Sequence, residues 1–261
     1  MPPPQAVLSS LAMSGPADLL LFAHLLARTD DKLELEHLAL LLAEPEHPGL
    51  DIQAYLNKLN VMGELARIKL RACRQCGPAP ADRIVPILRL LFGELGYRGN
   101  VVDFYDPNNS FLNQVIDRRT GNPLSLAVVL LAVCRRAGVA AEGVSFPGHF
   151  LVRAAKASGE MATVDPFDGR LISPSVLQSI YESATGDPGD IDEQFLVPAS
   201  RRQIVLRMLN NLRAIYELRG DQDRLRFVLE RMALINPSEE VQRRLDSVVH
   251  AVALAPRLSI N

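Results

Sequence analysis

The residues of this chain whose types and spacing could most directly do chemistry are its cysteines. Cys73 and Cys76 form a Cys-x-x-Cys pair at the end of a predicted helix, a spacing typical of half a four-ligand zinc site or of a redox-active dithiol. No second pair follows, and Cys134 falls in a separate apolar segment. We therefore expect no metal and no cofactor, and we expect two surface or half-buried thiols at the pair.

A histidine, an aspartate and a serine are the other candidates for a functional site. His149 follows a Pro-Gly turn at the start of a predicted strand, where a histidine either hydrogen-bonds a structural partner or lines a pocket. Asp165 precedes Pro166 and can cap the turn that follows. Ser125 lies in the first turn of a predicted helix, where its hydroxyl can satisfy the helix N-terminus. For these residues, structural and functional roles both stay open.

The elements that position these residues follow from hydrophobic periodicity and turn residues. Asn122 is a helix N-cap followed by proline at the first helical position, so a helix is predicted from there until Gly138 ends it. Only Ser125 is polar between residues 124 and 134, which is typical of a buried helix. An antiparallel sheet packed on this central helix gives an α+β fold. Strands are predicted at 140–146, 150–154 and 161–164, and further helices at 17–43, 51–73, 81–95, 110–119 and, in two or three pieces, 201–253.

Composition limits the class of protein. The chain has 261 residues, 48% of them hydrophobic, and a formal net charge of −2, which excludes a disordered chain and a strongly basic nucleic-acid binder. The longest apolar run, 126–134, is about half a membrane span. The N-terminus lacks the basic region of a secretory signal. We expect a cytoplasmic protein without a membrane segment, and we do not expect a nucleic-acid partner.

Turn residues and charge divide the chain into three expected segments. Residues 186–190 favour turns, and after them the charge changes sign, because residues 200–261 carry 11 basic and 7 acidic side chains. We place an N-terminal helical region at 1–80, a core at 81–190 and a helical tail at 200–261. The tail carries about one and a half units of a tetratricopeptide-like pattern, which is too few for a solenoid. It must therefore pack on the rest of the chain or on a partner.

Five blocks of sequence follow one another in a characteristic order in the middle of the chain. They are Gly-Tyr-Arg-Gly-Asn at 96–100, Tyr-Asp-Pro-Asn-Asn-Ser-Phe-Leu-Asn at 105–113, Asp-Arg-Arg-Thr-Gly-Asn-Pro-Leu-Ser-Leu at 117–126, Gly-Val-Ser-Phe-Pro-Gly-His-Phe-Leu-Val-Arg at 143–153, and Asp-Pro-Phe at 165–167. Together they resemble the bacterial SirB-type proteins. The resemblance covers residues 51–168 well and the tail loosely. It implies a papain-like core of the transglutaminase type, followed by a tetratricopeptide-type tail.

The resemblance also implies a catalytic triad, of which two members are present. His149 matches the histidine on one strand, and Asp165 matches the aspartate on the next strand that orients it. In the superfamily pattern, a Gly-any-Cys sequence begins the helix and a second glycine ends it. When Gly121 and Gly138 are aligned with those two glycines, Pro123 falls at the position of the nucleophilic cysteine. Because proline cannot attack a carbonyl, the thiol chemistry of transglutaminases and related proteases is predicted to be lost.

Two neighbours could replace the missing thiol only in a shifted register. In a regular helix, Ser125 lies about 200° around the axis from Pro123 and so points the other way. Cys134 lies about 20° off the face of Pro123 but roughly 16 Å further along the axis. The favoured hypothesis is a non-catalytic transglutaminase-like protein that binds a protein or peptide partner. The alternative is a hydrolase or acyl-transferase that uses a triad of Ser125, His149 and Asp165. A small ligand in the cleft is a third interpretation that stays open.

Overall fold

The computed structural model describes residues 17–74 and 76–254, and these fall into two compact units. One unit is the continuous stretch Asp51–Ile204. The other combines the described residues up to Leu50 with those from Val205 onward. Within the described ranges, no helix is long and apolar enough to cross a membrane.

Ten α-helices and six strands make up the described part of the chain. The helices are α1 (Ala17–Leu26), α2 (Leu35–Leu41), α3 (Ile52–Ala72), α4 (Pro80–Leu88, continued by a π-helical turn at Arg89–Glu94), α5 (Leu112–Arg118), α6 (Pro123–Ala137), α7 (Pro174–Thr185), α8 (Arg201–Arg219), α9 (Gln222–Ile235) and α10 (Glu239–Leu254). The strands are β1 (Arg98–Gly99), β2 (Thr120–Gly121), β3 (Glu142–Phe146), β4 (His149–Ala155), β5 (Met161–Asp165) and β6 (Arg170–Ile172).

Helix α6 is the buried centre of the unit Asp51–Ile204, and both of its ends lie where the sequence predicts them. The Asn122 side chain accepts the Ser125 backbone N–H at 2.9 Å, and the Ser125 hydroxyl accepts the Asn122 backbone N–H at 3.1 Å. These reciprocal bonds form a capping box around Pro123, the first helical residue. Gly138 ends the helix in the left-handed region, with a φ of 71°.

Helix α3 packs directly against α6, although the sequence analysis assigned it to a separate N-terminal region. A glycine permits the close approach, because a Cβ added at Gly63 would lie 2.4 Å from the Cβ of Arg136. Asn60 then accepts the Arg136 Nε–H at 2.8 Å, and Arg67 donates to the Arg136 carbonyl at 2.8 Å. The three segments expected from sequence stay a prediction, and the compact units group the chain differently.

A four-stranded antiparallel sheet in the order β3-β4-β5-β6 follows the central helix, which packs on β4. The register pairs Phe146 with His149 across a two-residue turn and pairs Val152 with Val164. A second, parallel pair of strands lies before α6. It joins β1 to β2 and sets Gly99 opposite Gly121.

In the other unit, the tail helices pack with residues 17–50. Arg231 of α9 is buried, donates a hydrogen bond to the Asp18 carboxylate of α1 and lies 3.3 Å from the centre of the Phe227 ring. Tyr216 of α8 donates to Glu46 at 3.3 Å. The leucines and aromatics of the tail pattern are thus part of this unit's core, as a short helical array requires.

The predicted α+β class is confirmed, and the differences from the sequence expectation are local. The helix predicted over 17–43 is two helices, because a short 3-10 turn at Asp30–Lys32 interrupts it. Strand β6 was not predicted, since it has only three residues and two of them are exposed. The tail contains three helices with breaks at the Gly-Asp and Asn-Pro pairs, where the sequence indicates them.

Candidate functional site

The start of helix α6 is tied into a buried polar network. The Ser125 hydroxyl donates to the Asn109 carbonyl at 2.6 Å, and the Asn122 carbonyl lies 3.1 Å from the same hydroxyl oxygen. The same Asn109 carbonyl accepts the Asn122 backbone N–H at 3.2 Å, and the Asn122 side chain donates to the Ser110 hydroxyl at 3.0 Å. These side chains are buried, with Ser125 only 1% exposed. Ser125 therefore serves the helix N-terminus and the preceding segment, and its hydrogen bonds go to Asn109 and Asn122.

His149 and Asp165 form a hydrogen-bonded pair on neighbouring strands. Val152 lies opposite Val164, so Asp165 lies opposite Leu151 in the antiparallel register. His149 is two residues before Leu151 on β4, and its side chain therefore points to the same face of the sheet as Asp165. The His149 Nε2 to Asp165 Oδ1 distance is 3.0 Å. The His149 side chain is 20% exposed and that of Asp165 is 10% exposed, so the pair is partly accessible.

The environment of Asp165 favours its ionised form. Burial pushes its pKa up, but the hydrogen bonds from His149 and from the backbone N–H groups of Phe167 and Asp168 outweigh burial, so the pKa of Asp165 is lowered. The Phe167 N–H lies 2.8 Å from Oδ1, the oxygen that also contacts His149. An ionised carboxylate in this position can fix the tautomer and the orientation of the imidazole.

A short chain of backbone contacts connects this pair to the start of α6. Phe167 bonds Asp165 through its N–H, and its carbonyl accepts the Gly99 N–H at 3.0 Å. Gly99 lies opposite Gly121, immediately before the capping box. A Cβ at Gly99 would lie 2.3 Å from the Phe167 ring, so glycine is required for this close approach.

The first residue of α6 is a proline, and the cysteine of the same helix lies well away from it along the chain. Pro123 occupies the position that the resemblance assigns to a nucleophilic cysteine. Cys134 lies three helical turns further along the same helix and is 1% exposed. Burial raises the pKa of its thiol to about 12, which keeps it protonated at neutral pH.

An exposed apolar segment, which the sequence analysis did not single out, lies beside this site. Residues 101–105, hereafter the apolar loop, expose four large apolar side chains: Val102 94%, Val101 80%, Tyr105 73% and Phe104 52%. The Phe104 ring lies 6.3 Å from the Phe167 ring, measured between centroids. The sequence shows only a short, mostly apolar run between Asn100 and the Asp-Pro pair at 106–107. Such a run does not indicate whether its side chains are buried or exposed.

Two buried asparagines hold the backbone of the apolar loop. Asn109 donates through Nδ2 to the carbonyls of Asp103 and Phe104, at 2.8 and 3.2 Å. Asn100 accepts the N–H groups of Val102 and Asp103 at 3.2 and 3.0 Å, and its amide donates to Asn109 Oδ1 at 3.0 Å. Because the backbone carbonyl of Asn109 also accepts the Ser125 hydroxyl, one hydrogen-bonded network holds both the apolar loop and the start of α6.

The Cys-x-x-Cys pair differs from the state expected for it. Cys73 and Cys76 are half-buried as predicted, but they are joined in a disulfide and are not two free thiols. The described residues contain no group of three or more His, Cys, Asp or Glu side chains that could hold a metal ion.

Comparison with known proteins agrees with this architecture. Residues 53–210 match the family model of the transglutaminase-like superfamily. A UPF0162 protein of Xylella fastidiosa is 38% identical over 219 residues, which are 82% of this chain and 76% of that protein. UPF0162 protein PM0557 of Pasteurella multocida is 30% identical over 138 residues, covering 53% of this chain and 52% of that protein.

A eukaryotic relative shares a shorter region. F-box only protein 21 of Mus musculus is 43% identical over 79 residues, which are 30% of this chain and 12% of that protein. No solved structure matches the chain at a significant level. The family match over residues 53–210 and the long alignment with the Xylella protein agree with the observed fold. This chain therefore belongs to the transglutaminase-like superfamily and, within it, to the UPF0162 family.

Proposed function

We propose that this protein is a non-catalytic member of its superfamily that binds an apolar segment of a partner protein through the apolar loop. The observation that carries the proposal is the exposure of four large apolar side chains next to the His149–Asp165 pair. Clustered exposed apolar side chains are typical of interaction sites, because a monomer gains nothing by leaving them in water.

The rigidity of the apolar loop supports the proposal. Asn100 and Asn109 fix its backbone with buried hydrogen bonds, so its side chains are held outward before any partner arrives. A loop that is already ordered loses little conformational entropy on binding. Aromatic residues such as Phe104 and Tyr105 are also enriched at the cores of protein interfaces.

The non-catalytic half of the proposal rests on the start of α6. Pro123 has no nucleophilic atom, and the Ser125 hydroxyl is buried in the capping box. A triad nucleophile donates its proton to the histidine, whereas Ser125 donates its hydroxyl proton to the Asn109 carbonyl. In this proposal, the hydrogen bond to Asp165 orients His149 as a residue at the edge of the binding surface and not as a general base.

The tail takes a secondary place in the proposal. The resemblance to SirB-type proteins assigns it to the tetratricopeptide type, and the helix pair α8 and α9 with its Gly220-Asp221 turn is compatible with one such hairpin. Its pattern residues Leu212, Tyr216 and Leu229 are each 1% exposed or less. Their burial supports a packing role for this hairpin, so we assign partner recognition to the apolar loop.

Peptide selection tests the binding proposal. A displayed library of random peptides is panned on the full chain, and selected peptides are titrated against wild type by fluorescence anisotropy. We expect apolar sequences whose affinity falls about 10-fold or more in Phe104→Ala and severalfold in Val102→Ala. Val61→Ala is the matched control, since Val61 is 59% exposed on α3, outside the loop. Equal losses in the Val61 and Val102 variants would refute the assignment to the loop.

A labelling experiment tests the absence of catalysis. The folded protein is treated with a fluorophosphonate that carries a fluorophore, and wild type is compared with Ser125→Ala. We expect no labelling in either protein, because the Ser125 hydroxyl is buried and its proton is already donated to the Asn109 carbonyl. Labelling that disappears in Ser125→Ala would instead establish the hydrolase or acyl-transferase hypothesis with Ser125, His149 and Asp165.

A further inference from the structure

The Cys73–Cys76 disulfide has no evident structural purpose. It links residues three apart in the connection between α3 and α4 and does not fasten one helix or strand to another. A disulfide that closes so short a loop restricts the unfolded chain least, so it adds the least stability. Stabilisation of the fold therefore does not account for the pair.

Cys76 of the pair lines a cavity of about 480 Å³. Its lining includes Arg67, Arg71 and Arg83 beside Cys76. Its volume falls within the range of small-molecule sites, roughly 300 to 1,000 Å³. Three arginines and one cysteine in the same lining give the cavity a chemistry that favours anions.

The three arginines are held in different ways. Arg67 donates to the Arg136 carbonyl at 2.8 Å and pairs with Glu64 at 2.9 Å, while Arg83 donates to the Gly138 carbonyl at 3.1 Å. Within the described part of the chain, the side chain of Arg71 makes no hydrogen bond or ion pair. Arg71 therefore keeps its donors for a ligand.

Among the described residues that line the cavity, none is acidic, and two carboxylates lie close to its lining. Glu64 is the partner of Arg67, and the Asp82 carboxylate lies against Gly77, where an added Cβ would be 2.2 Å from its Oδ2. Three cations against two carboxylates leave the cavity positive.

We propose that Cys73 and Cys76 form a thiol–disulfide exchange site for small disulfides that carry carboxylate groups, which the arginines of this cavity bind. Guanidinium groups pair with carboxylates through paired, charge-assisted hydrogen bonds. The site acts independently of the apolar loop, and the observed disulfide is its oxidised state.

The positions of the two sulfurs assign their roles. Cys76 lines the cavity, where neighbouring arginines stabilise a thiolate, so Cys76 is the attacking residue. Cys73 is the C-cap residue of α3, where the carbonyl end of the helix disfavours negative charge. Cys73 therefore stays a thiol until the second step and acts as the resolving residue.

The exchange balances without any further reactant. The Cys76 thiolate attacks one sulfur of the substrate disulfide, the substrate S–S bond breaks, and its electron pair leaves on the first substrate thiolate, which takes a proton from water. Cys73 then loses its proton to water and attacks Sγ of Cys76, which releases the second substrate thiolate. The protein dithiol is oxidised to the disulfide, and one substrate disulfide is reduced to two thiols.

The test compares an acidic disulfide with a neutral one. Reduced wild-type protein is mixed with oxidised glutathione or with bis(2-hydroxyethyl) disulfide, and thiol loss is followed by quenching and mass spectrometry. Each rate is divided by the rate of a short cysteine peptide with the same reagent, which removes the intrinsic difference between the two disulfides. We expect wild type to prefer glutathione severalfold after this correction.

Two variants assign that preference to the proposed groups. Arg71→Gln is expected to slow the glutathione reaction on the order of 5-fold and to leave the neutral reaction unchanged. Cys73→Ser is expected to stop at a mixed disulfide on Cys76. The site is refuted if wild type shows no corrected preference, or if Arg71→Gln changes both reactions equally. The wild-type comparison needs no variant to fold, and neither outcome depends on peptide binding by the apolar loop.

Discussion

Asn109→Ala is the substitution that most directly tests how the apolar loop is held. The Asn109 side chain is 1% exposed and makes three hydrogen bonds. Two go to the loop carbonyls of Asp103 and Phe104, and the third comes from the amide of Asn100. Alanine removes all three and leaves the side-chain amide of Asn100, which is buried, without its acceptor.

The expected loss follows from those contacts. Each hydrogen bond contributes a net of about 1 kcal/mol, and an unsatisfied buried donor adds to the cost, so the free energy of unfolding should fall by about 2 to 4 kcal/mol. That is a substantial part of the roughly 5 to 15 kcal/mol that stabilises a typical protein. The main chain of Asn109 still accepts Ser125 and Asn122, so the start of α6 is expected to survive.

Two measurements together check this prediction. Urea unfolding followed by far-UV circular dichroism gives the loss of stability, and hydrogen exchange of a peptide spanning residues 100–106 reports the loop. Asn57→Ala is the matched control, because Asn57 is exposed on α3 and its substitution should change stability by less than about 0.5 kcal/mol. A loss below about 0.5 kcal/mol in Asn109→Ala, with unchanged exchange in the loop, would contradict the proposed support.

Three further outcomes follow from the same structure. The folded-state pKa of Asp165 lies below its ordinary value of 3.8, so its ionised carboxylate stabilises the fold above that pH, and this stabilisation is lost as the pH falls through the lowered pKa. In urea unfolding, the difference in free energy of unfolding between wild type and Asp165→Asn should therefore become smaller below about pH 4. Cys134, whose pKa is raised to about 12 by burial, should resist a disulfide-forming thiol reagent in the folded chain and react once urea unfolds it. Gly121→Ala places a Cβ 2.6 Å from the Ser125 hydroxyl and should cost about 1 to 3 kcal/mol in urea unfolding, whereas Gly93→Ala, with no atom within 4 Å of its added Cβ, should cost little.

Sequence reasoning predicted the elements whose signals are local. Asn122-Pro123 and Gly138 mark both ends of α6, and Pro147-Gly148 marks the turn between β3 and β4. In each case the residue type itself restricts the backbone, through a capping side chain, a ring that fixes φ, or a missing Cβ. These signals need no knowledge of the rest of the chain.

The features that sequence reasoning missed depend on contacts between distant residues. Tyr216 and Glu46 are separated by 170 positions, so nothing in either segment shows that the tail packs with residues 17–50. The pairing of Asn100 with Asn109 closes a loop that has no periodicity, and only the fold shows that Val101 and Val102 point outward. The His149–Asp165 pair was suggested by resemblance, and its 3.0 Å distance follows from a strand register that sequence does not encode locally.

The chemistry of Ser125 connects the two halves of the proposed function. A serine nucleophile must free its hydroxyl proton for a base, but here that proton bonds the Asn109 carbonyl at 2.6 Å inside the network that also supports the apolar loop. Turning the hydroxyl toward any base would leave a buried carbonyl with one hydrogen bond fewer and weaken the capping box of α6. Proline is the first residue of this helix and offers no nucleophilic atom, which is why the proposed function gives Ser125 a supporting role and not a catalytic one. The start of the central helix and the apolar loop thus share one hydrogen-bonded network.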